Sequence, residues 1–157
     1  MIHLLRSASP IARTLLPTMS ASASGRTIIF NSPRQQYFSS DITRFGVDVL
    51  PSMSQVVVHN KIVYLSGQID GSAEDITGQT QNVLAKVDQY LTEAGTDKSK
   101  LLTSTIWLQD ITRDFGAMNE VWNAWIDPKN KPVRATTEAS LASPKYLVEI
   151  QVTASLE

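Results

Sequence analysis

Two stretches of helical periodicity, each with a single apolar stripe, set the terms for this chain's architecture. In residues 78–94, "GQTQNVLAKVDQYLTEA", Val83, Leu84, Val87, Leu91 and Ala94 fall on one side of a helix that Gly95 brings to a stop. In the second stretch Phe115, Met118, Trp122 and Trp125 recur at three- and four-residue spacing, ahead of Pro128. A helix that is apolar all round is surrounded by protein; a helix with one stripe covers something. The runs that flank these helices supply what they cover.

"TRFGVDV" (43–49) alternates as a strand, and "SQVVVHNKIVYLSGQI" (54–69) reads as two strands that turn at His59-Asn60-Lys61. "KLLTSTIWLQD" (100–110) returns to strand character between the helices. The final stretch, "KPVRATTEASLASPKYLVEIQVTASLE" (131–157), reads as two long strands joined by a tight turn near Ser143-Pro144. The order β-β-β-α-β-α-β-β predicts an α+β domain over 41–157, a mixed sheet with both helices packed on one face. Phe115, Trp122 and Trp125 are then expected as core anchors.

Composition removes several chemistries. The 157 residues contain no cysteine, which excludes disulfides, thiolate catalysis and cysteine metal sites. His3 and His59 are too few and too isolated for a metal site, and His59 is expected on the surface at its turn. No apolar run approaches the ~18 residues of a membrane-spanning helix. All 15 acidic residues lie at or after Asp41, so residues 41–157 carry 10 Lys and Arg against 15 Asp and Glu. An acidic body without a basic cluster is a poor electrostatic match for nucleic acid.

The first forty residues have the opposite character, four arginines and no acid. "MIHLLRSASPIARTLLPTMSASASGR" breaks every candidate secretory core with Arg6, Pro10, Arg13 or Pro17, and its Arg, Ser, Ala and Leu content suits an organellar transit peptide followed by a short tail. Leu and Arg dominate the opening sixteen residues, which points to the mitochondrion; plastid, or a cytoplasmic product starting at Met19, are the alternatives.

The closing hairpin raises a question of charge. Alternation puts Val133, Ala135, Thr137 and Ala139 on one side of its first strand, with Arg134, Thr136, Glu138 and Ser140 on the other. On the second strand Tyr146, Val148, Ile150, Val152 and Ala154 share a face opposite Leu147, Glu149, Gln151 and Thr153. The apolar sets are expected to meet the helices; with the turn centred on Ser143-Pro144, Glu138 falls opposite Glu149, and the polar side becomes a field of Arg134, Thr136, Glu138, Glu149 and Gln151. That field either meets water, as half-exposed antiparallel sheets do, or lines a cavity or subunit contact. In a cavity, an arginine fixed on a strand suits bidentate carboxylate binding, and Glu149, partly desolvated and close to Glu138, would titrate closer to neutrality.

In these segments the chain resembles the Rid family of reactive-intermediate deaminases, also called the YjgF/UK114 family. The matching stretches are 54–69, "QTQNVLAKVDQYLTEAGTDKSKLLTSTIWLQD" (79–110), "FGAMNEVWNAW" (115–125) and "KPVRATTEASLASPKYLVEIQVTA" (131–154), in collinear order. "PVR" followed by "SPKYLVEI", with paired tryptophans, resembles a side branch more than the best-known deaminase branch. The resemblance implies a chorismate-mutase-like (YjgF-like) fold and a homotrimer with ligand clefts between subunits. It implies hydrolysis of 2-iminobutanoate- and 2-iminopropanoate-type intermediates to 2-keto acids and ammonia, without metal or organic cofactor.

By position, Arg134 matches the arginine that holds the substrate carboxylate, Glu149 the glutamate that positions or activates water, and Gly67 the backbone lining the pocket. Ser66 and Asn119 match further pocket positions. The chain departs from the deaminase branch in two places. Met53 stands where that branch has a tyrosine, and Thr136 where it often has cysteine. Loss of the phenol points to the alternative, a non-catalytic protein on the same trimer that binds small carboxylates for regulation. Ribonuclease action, attached to some relatives, fits worst with the acidic body.

Overall fold

The computed structural model describes residues 41–157; the transit peptide and tail expected over 1–40 lie outside the described residues. The sheet begins with β1 (Thr43–Phe45), β2 (Val56–His59), β3 (Ile62–Leu65) and a two-residue β4 (Gln68–Ile69). Helix α1 (Ile76–Glu93) follows, then a short 3-10 turn (Lys98–Lys100), β5 (Leu101–Leu108), α2 (Ile111–Trp125), β6 (Val133–Glu138) and β7 (Val148–Ser155). The expected α+β order is thus present, with β4 added and the first strand ending at Phe45 rather than reaching Val49.

Local chemistry explains the boundaries. Asn60 and Lys61 both take positive φ, 48° and 64°, the type I′ geometry that joins two twisted strands with two residues. Asp75 caps α1 by accepting from Gly78 N–H at 2.8 Å, and Gly95, at φ 86°, ends it. Asp110 caps α2 by accepting from Arg113 N–H at 2.9 Å. The free N–H of Ile111 is met by Glu138 Oε2 at 3.0 Å.

Strands run in the order β1-β2-β3-β7-β5-β6, with β4 also paired to β7. The expected terminal hairpin does not form. β6 pairs with β5 in parallel, Arg134 beside Ser104 and Glu138 beside Leu108, while β7 pairs with the other side of β5 antiparallel, Val152 beside Ser104 and Glu149 beside Trp107. The connection between β6 and β7 straddles the end of β5: Ala139 N–H donates to Leu108 C=O, and Gln109 N–H to Leu147 C=O, both at 3.0 Å. The Gln79 amide, buried in α1, holds this connection by donating to Lys145 C=O and accepting from Leu147 N–H, each at 2.8 Å.

The core lies between the sheet and both helices. Val63, Leu65, Ile106, Leu108, Ile150 and Val152 meet Val83, Leu84, Val87, Leu91, Met118 and Trp122. Each fully buried aliphatic or Met side chain contributes about 1.5–3 kcal/mol, so these stripes, more than local propensity, hold α1 and α2 in place. Trp122 is a core anchor as expected. Trp125 is half-buried at the rim, its Nε1–H donating to Asp88 Oδ2 at 2.8 Å. Phe115 is not an anchor: it is 43% exposed.

Partners in a ladder share a face, and this reverses the expectation for β6. Ser104, Ile106 and Leu108 are buried toward the helices, so Arg134, Thr136 and Glu138 lie on the helix side. Val133, at 71% exposure, and Ala135 lie on the open side. β6 is the edge strand beside β5, and its helix-side positions carry the polar side chains Arg134, Thr136 and Glu138.

Candidate functional site

The seven residues singled out in the sequence separate into two groups, one on each face of the sheet. The first gathers at the free edge of β4. After Leu65 the chain leaves its ladder with β7 at Ser66 and Gly67, then rejoins it with Gln68 beside Ile150 and Ile69 beside Glu149. Ser66 and Gly67 thus form a kink that is unpaired with β7. A buried amide network fixes it: Gln68 Nε2 donates to Ser66 Oγ at 2.8 Å and Gln55 Oε1 at 3.1 Å. Ser66 Oγ donates to Gln55 Oε1 at 3.0 Å, and Ser66 N–H to Gln55 C=O at 2.9 Å. Both glutamines are almost fully buried, so the network resists rearrangement.

Gly67 is required at the kink by its neighbour. A Cβ there would stand 1.9 Å from Glu149 Oε1, so the carboxylate occupies the space that any other residue would fill. Glu149 has no hydrogen-bond donor among the described residues, and burial raises its carboxyl above the ordinary value. Of the two expected causes, desolvation is present, while proximity to Glu138 is not, because Glu138 is engaged at the start of α2. Met53, Gly67 and Glu149 border a cleft of about 540 Å³, lined also by Val49, Leu50 and Ile69 and, from α1, by Lys86, Gln89 and Tyr90. Ser66 stands behind it in the amide network rather than on its wall.

The second group lies at the helix-side edge of β6. Arg134 Nη2 donates to Asn119 Oδ1 of α2 at 2.7 Å, and its guanidinium lies over the Trp122 ring, 5.3 Å from the centroid. No carboxylate among the described residues is within ion-pair distance of it. Burial lowers the Arg134 pKa, yet a guanidinium remains charged at any ordinary pH. Its fork is therefore oriented, partly desolvated and short of acceptors, the state in which a carboxylate gains most from binding. Thr136 Oγ1 and Ser104 Oγ, both buried on this face, have no hydrogen-bond partner among the described residues.

The single polar field expected for Arg134, Thr136, Glu138, Glu149 and Gln151 is thus corrected. Within one chain Arg134 and Glu149 sit on opposite faces, two strands and three rungs apart. Sequence reasoning missed Gln55, Gln68 and Ser104, and took Trp122 only as core. Alternation carries no signal for the glutamines, since Gln55 falls in step with Val57 and Gln68 with the exposed Tyr64 rather than with the buried Val56, Val63 and Leu65. Among the described residues no three acidic or imidazole groups cluster closely enough to hold a metal ion, and no helix is long and apolar enough to cross a membrane.

Comparison with known proteins identifies the family and the fold. Residues 47–156 match the family model described as endoribonuclease L-PSP. A RutC family protein of Haemophilus ducreyi is 41% identical over 116 residues, covering 73% of this chain and 97% of that one. A crystal structure of a YjgF-family protein from Neisseria meningitidis superposes with a TM-score of 0.72 at 40% identity, over 75% of this chain and 97% of the other. More distantly, the chloroplastic Reactive Intermediate Deaminase A of Arabidopsis thaliana is 30% identical over 110 residues, 66% of this chain and 58% of that protein.

Proposed function

The chain belongs to the endoribonuclease L-PSP family, with RutC and YjgF proteins as relatives, and from that premise we propose that it hydrolyses 2-imino acids and their enamine tautomers to 2-keto acids and ammonia. The observation that carries the reading is Arg134, a half-buried guanidinium held by Asn119 and Trp122 with no acid of its own. Such a group calls for a carboxylate from outside.

The chemistry needs little else. Arg134 anchors the substrate carboxylate and so orients the adjacent C=N carbon. Glu149 takes a proton from water as the water oxygen bonds to that carbon, giving a carbinolamine. With the imine nitrogen protonated at the outset, Glu149 returns that proton to the carbinolamine nitrogen, the C–N bond breaks, and ammonia leaves as the hydroxyl gives its own proton to Glu149 and becomes the carbonyl. A carboxyl raised by burial suits this shuttle, since it gives up and regains a proton closer to neutrality.

Because the two groups face opposite sides of one sheet, a single site containing both needs a second copy of the chain. The proposal therefore includes a homotrimer in which one subunit presents Arg134 and its neighbour presents Met53, Gly67 and Glu149. With the N-terminal extension as an address, the protein would act in the mitochondrion.

The test is complementation. Full-length Arg134→Ala and Glu149→Gln proteins are each expected to lose acceleration of 2-keto acid release from an imine generated in the cuvette. Dissociated together and reassembled, they should regain activity at roughly a quarter of the sites, the share in which both native side chains meet across a subunit boundary. Retained activity in the Arg134 variant, or a mixture as silent as its parts, would refute the shared site.

A second reading, small-carboxylate binding without turnover, is favoured by Met53: a thioether lines the cleft where a phenol would offer a hydrogen bond. Its signature would be 2-keto acid binding that depends on Arg134, with no imine hydrolysis.

A further inference from the structure

Beside its apolar stripe, α1 carries a second, polar one. Gln79, Asn82 and Lys86 stand three and four residues apart and so lie along one side of the helix. All three hold the connection that leads from β4 into α1. Gln79 Nε2 donates to Ala73 C=O at 2.9 Å. Asn82 Nδ2 donates to Ser72 Oγ at 3.0 Å and to Asp70 Oδ1 at 3.3 Å. Lys86 Nζ donates to Ile69 C=O at 2.8 Å and pairs with Asp70 Oδ2 at 2.7 Å.

The last of these grips falls on the segment that shapes the cleft. β4 is two residues long, and among the described residues β7 is its one strand partner. Ile69, whose carbonyl Lys86 holds, is the rung opposite Glu149. Gly67, two residues earlier, leaves the space that Glu149 Oε1 fills. So short a strand has few rungs to fix its place: a shift of β4 toward Glu149 closes that space, and a shift away opens it. Lys86 opposes both, because its partners are a carbonyl of the strand itself and the carboxylate of the next residue, which Ser72 N–H holds in turn at 2.9 Å. The Asp70 carboxyl accordingly lies far below its usual range, with the hydrogen bond from Lys86 as the largest cause and those from Ser72 next. The Lys86 side chain is 41% exposed at this pair, and partly solvated ion pairs add little to global stability. Its effect is expected in the placing of β4 rather than in the stability of the fold.

We propose that Lys86 is a positioning residue for Glu149: from α1 it fixes β4 against β7 and, through Ile69 and the Gly67 kink, keeps the carboxylate in its working place. The effect on turnover rests on the deaminase reading; the fixing of β4 does not. Lys86 borders the cleft, but its ammonium is shared between a carbonyl and a carboxylate, so it acts through the backbone.

The experiment compares full-length Lys86→Met with the native protein and with Lys129→Met, which removes the same charge from an exposed turn after α2. With 2-keto acid release from an imine as the readout, Lys86→Met should lower kcat by about ten-fold or more, since a misplaced reacting group is costly. KM, set by the grip of Arg134 on the carboxylate, should stay within about two-fold of native. Lys129→Met should match the native protein. On a Glu149→Gln background the Lys86 change should cost nothing further. A raised KM at unchanged kcat would make the ammonium a ligand contact, and losses that multiply would mean that it acts apart from Glu149. A loss shared by Lys129→Met would trace the effect to net charge, and native turnover in Lys86→Met would mean no effect at all. Each of these overturns the inference and leaves the deaminase reading intact. If the native protein hydrolyses no imine, that reading falls and hydrogen exchange decides instead. The amides of 66–70 should then exchange about ten-fold or more faster in Lys86→Met, with α1 and β5 unchanged; equal exchange refutes the inference.

Discussion

Gly67→Ala is a substitution that should silence the site while sparing the fold. Gly67 does not occupy the left-handed region, so alanine incurs no backbone strain there. The new methyl would stand 1.9 Å from Glu149 Oε1 and 2.9 Å from its Cδ, whereas ordinary contact begins near 3.4 Å, so the carboxylate must retreat by roughly 1.5 Å. The obstructing atoms are the far end of a flexible side chain, which can swing away. An off-rotamer glutamate costs about 1 kcal/mol, or roughly 4 °C in Tm for a chain of this size. Catalysis is far less forgiving. Misplacement of a reacting group by ~1 Å can cost ~10²-fold, and loss of a general base ~10²–10⁴-fold.

Thermal unfolding and imine turnover, measured on the same preparation, should therefore dissociate, with a small shift in Tm and at least a hundred-fold loss of rate. Adding Glu149→Gln should lower the rate little further, since both changes remove the same group. Multiplying losses, near-native turnover, or a collapse in Tm would each show that Gly67 does not act through Glu149.

Three further outcomes are expected. Because burial raises the Glu149 carboxyl, the fold favours its neutral form; the associated stability is present at low pH and lost as pH rises through the folded-state value. Urea unfolding should then find Glu149→Gln more stable than the native protein at pH 7, the difference closing below about pH 4; a difference that widens in acid would contradict the assignment. Gln79→Leu strips Ala73 C=O, Lys145 C=O and Leu147 N–H of their partner, and urea titration should show a loss of about 3 kcal/mol, whereas a change below about 1 kcal/mol would mean water replaces the amide. Residues 1–40 fused to a fluorescent reporter should direct it to mitochondria; a diffuse cytosolic signal would remove the organellar part of the proposal.

What the sequence disclosed followed how local each physical rule is. The turn at Asn60-Lys61, the stripe from Val83 to Leu91 and the cap at Gly95 depend on neighbours within a few residues, and the structure reproduces them. Strand pairing is not local. Alternation tells which residues of 133–138 share a side, but nothing in that segment says that β5 will lie between it and β7. The tight turn at Ser143-Pro144 suggested a hairpin; the chain instead uses residues 139–147 to step over the end of β5. That one difference moved Arg134 from the face of Glu149 to the face of Trp122. Arg134 and Glu149 drew attention because charged types are costly to bury without purpose, whereas Gly67, Ser66, Asn119 and Met53 were reached only through the family resemblance. The distribution of these residues over two faces was not legible, because it depends on which strands are neighbours. Gln55 and Gln68 went unnoticed since a glutamine in a strand looks solvated until its partners are known.

The position of β7 has a consequence for biosynthesis. Val148–Ser155, hydrogen-bonded to β3, β4 and β5, is both the middle of the sheet and the last of its described strands to be synthesised. Until it arrives, the β2–β3 ribbon and the β5–α2–β6 unit are separate fragments with unsatisfied edges and no common partner. A premature stop or a nick after Leu147 would not shorten the molecule at its margin. It would take the keystone from the arch, and leave two halves free to seek strands in other chains.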